Sequence, residues 1–169
     1  MIHREATVEN LARAMLVVAV LASVTMALST GANYLKYLRW TSEVKASLVS
    51  ASIKPHGTSG ELYMDIRFTA PAVGYRAEIQ SVEFTLKGAH GDVGSYRIVV
   101  PEGITHWDEH GVTAEMALYS EIHKEHWPDV RSSRWLQVDG RLVVRLYLPG
   151  RVLPARVPLT GDVDMGGAR

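Results

Sequence analysis

His106-Trp107-Asp108-Glu109-His110 spells H-x-x-E-H, the spacing of an inverted zinc-protease helix, with two imidazoles for Zn²⁺ and Glu109 as general base. That chemistry requires a helix, because residues four apart share a face only there. Gly103 and Gly111 bracket the segment, an alternating pattern begins at Val112, and no downstream glutamate on a second helix offers a third ligand. The pentapeptide therefore reads as a solvated loop ahead of a metal site, and as a metal site ahead of a hydrolase. Four of the seven histidines fall between His106 and His126. His123 and His126 stand three apart with Trp127 beside them, a spacing open to a metal or pH-sensing pair. The favoured reading is a polar helix face whose Trp127 packs on a sheet.

Other chemistries lack their residues. With no cysteine there is no disulfide, thiol nucleophile or cysteine metal site. No Ser-His-Asp order or supported carboxylate pair stands out. Gly88-Ala89-His90-Gly91-Asp92-Val93-Gly94 is glycine-rich but opens no helix, so it is a hairpin loop and not a phosphate cradle. The expectation is that the chain has no catalytic residue, no cofactor and no metal ligand.

Charge is balanced overall, with 18 basic and 18 acidic residues, so nothing marks a nucleic-acid binder. Its distribution is uneven. Glu102, Asp108, Glu109, Glu115, Glu121, Glu125 and Asp129 accompany a single Lys124. Arg131, Arg134, Arg141, Arg145, Arg151 and Arg156 then accompany a single Asp139. Cross-strand pairing of Glu115 and its neighbours with Arg141 and Arg145 would absorb this at about 0.2–1 kcal/mol per pair. Alternatively, a bipolar surface orients the domain on a partner or on anionic headgroups.

These residues need a scaffold, and the scaffold begins with a different signal. Residues 14–35 contain no charged side chain. A helix of that length spans roughly 30 Å of hydrocarbon. Arg13 closes one end; Tyr34, Lys36, Tyr37, Arg39 and Trp40 crowd the other, as at a headgroup interface. The run reads as an uncleaved transmembrane helix, preceded by a tail at 1–13 and followed by a juxtamembrane linker at 36–43. The rival is a signal peptide cleaved at Thr30-Gly31-Ala32. Basic residues on the two sides nearly tie, and an extracytoplasmic domain is favoured because long domains translocate largely regardless of charge.

Beyond the helix the apolar period changes to two. Leu62, Met64, Ile66 and Phe68 alternate with polar residues, as do Val112, Ala114, Met116 and Leu118, and Leu142, Val144, Leu146 and Leu148. Each series predicts a half-buried strand. Weaker strands are predicted over 44–53, 79–86, 96–100 and 156–163. The apolar parity slips between Ile79 and Val82, as a bulge or strand break produces. Ile66, Phe68, Met116, Leu142, Val144 and Leu146 should point into the core. The polar segment 120–130 predicts a short helix, capped by Ser120 and ended or bent by Pro128.

The layout resembles the late-embryogenesis-abundant type 2 domain, an immunoglobulin-like sandwich with one helix. The residues carrying the resemblance are 61–69, Ala70-Pro71-Ala72, 79–86, 112–118, 120–127, Val138-Asp139-Gly140-Arg141-Leu142-Val143-Val144 and Val157-Pro158-Leu159, within about residues 44–165. The family usually has Asn-Pro after its second strand, where this chain has Ala70-Pro71. The resemblance transfers no catalytic residue and implies a binding, protective or scaffolding role.

The sequence thus predicts a mainly β protein: an antiparallel sandwich of about seven strands, immunoglobulin-like, with one short helix, behind a single transmembrane helix. The sandwich would span 44–165, with a frayed tail at 166–169. Its partners would be the lipid bilayer, through residues 14–35, and a protein of unknown identity. A non-catalytic accessory subunit of a membrane assembly is the favoured function. A small exported metal-binding protein or hydrolase using the stretch from His106 to His126 is the alternative.

Overall fold

Period-two alternation becomes seven antiparallel strands in a computed structural model that describes residues 2–72, 76–100 and 112–165. Strands β1 (Lys45–His56), β2 (Ser59–Ala70) and β5 (Val112–Ile122) form one sheet in the order β1-β2-β5. Strands β3 (Arg76–Gly88), β4 (Gly91–Val99), β6 (Leu136–Leu148) and β7 (Arg151–Val163) form the other in the order β4-β3-β6-β7. Lettered in chain order, the sheets are A-B-E and D-C-F-G. The immunoglobulin constant arrangement, ABED and CFG, differs only in where the fourth strand pairs.

Tight turns set the registers. His56 pairs with Ser59 across Gly57-Thr58, with Gly57 at φ 57°, a left-handed conformation open to glycine at little cost. Pro149-Gly150 joins β6 to β7 with Gly150 at φ 77°, as a proline followed by glycine favours. The glycine-rich stretch is a hairpin, Gly88 pairing with Gly91. The parity slip in β3 is a bulge: the β3–β6 register shifts between Ile79 and Ser81.

The core lies between the sheets. Ile66, Phe68 and Met116 from one sheet and Leu142, Val144 and Leu146 from the other are buried, as their spacing predicts. Outward neighbours on the same strands, Tyr63 and Arg145, are exposed. One flank of the sandwich is joined through the main chain. The Asp164 amide donates to the Ala51 carbonyl at 2.8 Å, and the Ile53 amide to the Asp164 carbonyl at 3.4 Å. Residues 164 and 165 are thus held, and Met165 is buried. Beside this clasp Gly161 lies so near Leu48 that an added Cβ would stand 2.7 Å from its Cδ2. Along the rest of β7, Pro154 pairs with Arg145 and Pro158 with Arg141.

Three sequence expectations are corrected. Residues 120–122 do not cap a helix but finish β5, where Glu61 pairs with Glu121. The short helix α2 is Trp127–Ser132, so Pro128 opens it instead of ending it: the first helical turn needs no N–H there, and proline's fixed φ suits it. The first and last strands are longer than their patterns suggested, because edge strands with one wet side show weak alternation.

The N-terminal helix α1 runs Ile2–Glu43. It covers residues 36–43, expected as a linker. The chain divides into two compact units, one ending at Arg39 and the other beginning at Trp40. The helical stretch Arg13–Glu43 includes a window of mean hydropathy 2.0 with none of it buried, and is long and apolar enough to cross a membrane. Three of its hydroxyls are satisfied within the helix: Ser23, Thr25 and Thr30 each donate to the carbonyl four residues back at 2.8 Å. In the second unit Trp40 is almost fully buried.

Candidate functional site

After β5 the chain leaves its sheet through a tight turn, closed by the His126 amide donating to the His123 carbonyl at 2.9 Å. Helix α2 follows and returns the chain to β6 in the other sheet. Trp127 is buried, as expected, with its ring over Gly60 of β2, where an added Cβ would stand 2.2 Å from Cζ3. Val130 is buried beside it, and Ser133 caps the helix through Oγ to the Asp129 carbonyl at 2.8 Å. This segment is a plate across the sandwich, and it presents two histidines.

The imidazoles of His123 and His126 lie with centroids 6.1 Å apart, near perpendicular. Tyr96 of β4 stacks on His123 at 5.9 Å and meets His126 edge-on at 6.2 Å. Phe84 of β3 continues the stack, 5.4 Å from Tyr96. Tyr96 is 8% exposed, and its hydroxyl faces the backbone of His123. Burial pushes the phenol up to about 12, a rise that the neighbouring His123 backbone partly opposes and Glu125 reinforces. The His126 Nε2 lies 3.7 Å from the Glu125 carboxylate. Spacing brought His123 and His126 together in the sequence; Tyr96, from a different sheet, carried no signal linking it to them.

His106, Glu109 and His110 lie outside the described residues. Among the described residues, no three His, Cys, Asp or Glu side chains form a metal-binding group.

The charged halves of the sequence do not meet as expected. Glu115 and Arg141 sit on β5 and β6, in different sheets, and so cannot pair across strands. Glu115 instead accepts from Arg67 of β2, at 2.7 Å from Nη2 and 3.0 Å from Nε. Arg141 binds Glu83 of β3 at 3.0 Å, and Arg97 approaches the same carboxylate at 3.8 Å. Lys87 pairs with Asp139, which holds the ammonium above its ordinary range. Arg145 lies opposite Glu78, whose carboxylate accepts from the Tyr147 hydroxyl at 2.5 Å. The resulting groove of about 610 Å³ on the outer face of the larger sheet, lined by Glu83, Thr85, Ser95, Arg97 and Arg141, is open to solvent.

The smaller sheet carries a different outer face. Tyr63 and Tyr119 pair at 5.5 Å, the Lys54 ammonium lies 4.8 Å above the Tyr63 ring, and the Tyr63 hydroxyl donates to Glu61 at 2.7 Å. That hydrogen bond raises the Tyr63 phenol above its ordinary value.

Fold and faces together define a mainly β sandwich preceded by a long apolar helix. No protein-family model matches the chain, and no curated protein matches it. Solved structures do resemble it. A Bordetella pertussis protein provisionally named ApaA is 13% identical, with a TM-score of 0.49 over 73% of this chain and 94% of that one. A solution structure provisionally assigned to the late-embryogenesis-abundant proteins is also 13% identical, with a TM-score of 0.40 over 86% of each chain. At these identities and scores neither bears on function.

Proposed function

We propose that the chain is a membrane-anchored, non-catalytic β-sandwich that binds a protein partner or the membrane surface, as an accessory subunit of a membrane assembly does. The observation that carries this reading is the Arg13–Glu43 helix, with an apolar window of a membrane's thickness that is wholly unburied, ahead of a sandwich with its own core. An exposed apolar helix of that length is costly in water and stable in lipid. The layout resembling the late-embryogenesis-abundant type 2 domain supports a binding role, and the open, shallow groove on the larger sheet suits a macromolecular surface better than an enclosed substrate. Anchoring would raise the effective concentration of the sandwich near membrane partners. Its favoured side is extracytoplasmic.

The test is fractionation of the full-length chain. It should stay with membranes through high-salt and alkaline washes and need detergent for release. A soluble mature form beginning near Asn33 would overturn the anchor in favour of a cleaved signal. Because the chain has no cysteine, a single Ser132→Cys reports sidedness: a membrane-impermeant maleimide should label it from outside the cell membrane. Cross-linking in membranes should then recover a defined partner or lipid.

A further inference from the structure

We infer that the tip of the β6–β7 hairpin and the arginines around it form a docking surface for anionic phospholipid headgroups. The inference deepens the membrane-surface reading above and rests on it. It starts from where the chain enters the sandwich. Lys45 opens β1 opposite Thr69, so the chain comes in at the end where β2 finishes. Residues 71–75 lead on to β3 and reach no more than about 20 Å. Strands of 12 and 13 residues run about 40 Å, so β3 begins at that same end. Its first residue, Arg76, pairs with Tyr147, and Tyr147 pairs with Val152 beyond it. The β6–β7 hairpin therefore lies at the tethered end of the sandwich.

Charge at this hairpin suits an anionic surface. Arg76, Arg145, Arg151 and Arg156 are exposed around it. Glu78 lies opposite Arg145, and its carboxylate accepts from the Tyr147 hydroxyl. Arg141, further along, is already held by Glu83. Among the described residues, Arg151 and Arg156 have no carboxylate partner. Arginine offers a fork that grips a phosphate through two N–H groups.

Shape and apolar exposure point the same way. Val152 is 49% exposed, and Pro149 and Pro154 are exposed near it. Arg145, Tyr147, Val152 and Pro154 line an open depression of about 400 Å³. The Arg76 guanidinium lies 5.3 Å over the Tyr147 ring. A tyrosine set between cations and exposed apolar side chains fits a membrane–water boundary, where ring and hydroxyl meet different surroundings. The far end of the same outer face has the other sign: Lys87 stands among Asp92, Asp139 and Asp162. An anionic surface attracts the hairpin end and repels the far end, so the polarity also orients the face. The tether keeps the hairpin end within reach of headgroups, which favours lipid over a diffusing acidic protein.

The experiment uses full-length protein reconstituted into vesicles of phosphatidylcholine, with or without phosphatidylglycerol. The chain has no cysteine, so Val152→Cys takes a single environment-sensitive fluorophore. A phosphatidylcholine spin-labelled on its headgroup is the quencher. Quenching at position 152 should be strong with phosphatidylglycerol and weak without it, and about 0.5 M salt should remove the difference. Each arginine near an anionic surface favours the docked state about fivefold. Arg145→Gln/Arg151→Gln/Arg156→Gln should therefore bring quenching down to the phosphatidylcholine level, and Arg151→Gln alone should give part of that loss. Arg131→Gln/Arg134→Gln, at α2, removes charge elsewhere and should change nothing. A fluorophore at Thr58→Cys, in the β1–β2 turn at the far end, should stay unquenched. Thermal midpoints check that the variants fold. Equal quenching on the two vesicle compositions, or quenching indifferent to the hairpin arginines, would overturn the inference. So would equal quenching at positions 58 and 152. Failure of the anchor reads differently: the chain would not float with the vesicles after an alkaline wash, and the inference would fall with the reading it rests on.

Discussion

On one flank of the sandwich, β1 and the end of β7 meet through amides and carbonyls, with Asp164 bonded to Ala51 and Ile53. On the other, β4 and the turn after β5 meet through side chains: Tyr96 on His123 and His126. The first closure uses groups that every residue possesses, so its side chains are constrained mainly where they would collide, as at Gly161 against Leu48. The second depends on which side chains are present. A flank closed by named side chains can be altered by a single substitution at Tyr96, His123 or His126, whereas a main-chain clasp cannot.

The largest expected effect comes from the plate that leads out of the second flank. Trp127→Ala removes a buried indole from over Gly60 and should cost about 3–5 kcal/mol, read by urea unfolding. A cost near zero would mean that the plate is not packed on the sheet. Next comes alkaline pH. The fold pushes the Tyr96 phenol up to about 12 from an ordinary 10.0, which after solvent screening of the phenol should be worth on the order of 1–2 kcal/mol. The folded value is the higher, so this stability is whole below pH 10 and is lost as pH rises from 10 to 12, where the unfolded chain ionises first. Tyr63, Tyr119 and Tyr147 are raised as well. The difference between wild type and Tyr96→Phe isolates the buried phenol, and equal alkaline losses in both would show that Tyr96 is not the source.

On the clasped flank, Gly161→Val drives new atoms into Leu48 and should cost about 1–3 kcal/mol in thermal or urea unfolding. A cost near zero would mean that Gly161 is not pressed against Leu48. The smallest effect belongs to the surface. Arg67→Ala breaks an exposed pair with Glu115 and should change stability by less than about 1 kcal/mol. A larger change would mark the outer face of the smaller sheet as structurally critical.

What was legible in the sequence follows from range. Strands came from a period of two within a few residues, and even the β3 bulge showed as a parity slip from Ile79 to Val82. The inward set from Ile66 to Leu146 came from the same alternation. Pairings between distant segments did not. Glu115 and Arg141 look complementary along the chain, but which strands share a sheet is a property of the whole topology. Tyr96 is 27 residues from His123, and only the adjacency of β4 to the turn after β5 brings them together. Pro128 was misread because proline marks both helix boundaries, and only the backbone around Trp127 decides which.

Pro154 and Pro158 on β7 have a consequence for self-association. A strand at the rim of a sheet offers unpaired N–H and C=O groups on which a second molecule can add a strand. Proline brings no N–H, and the pairing to β6 continues past both residues, so the missing donors lie on the outer rim. The Asp164 clasp covers one end of that rim, and the prolines interrupt the remainder. Copies of an anchored domain would be confined to a plane at high local concentration. There, prolines on the β7 rim would make that edge a poor template for a neighbouring strand.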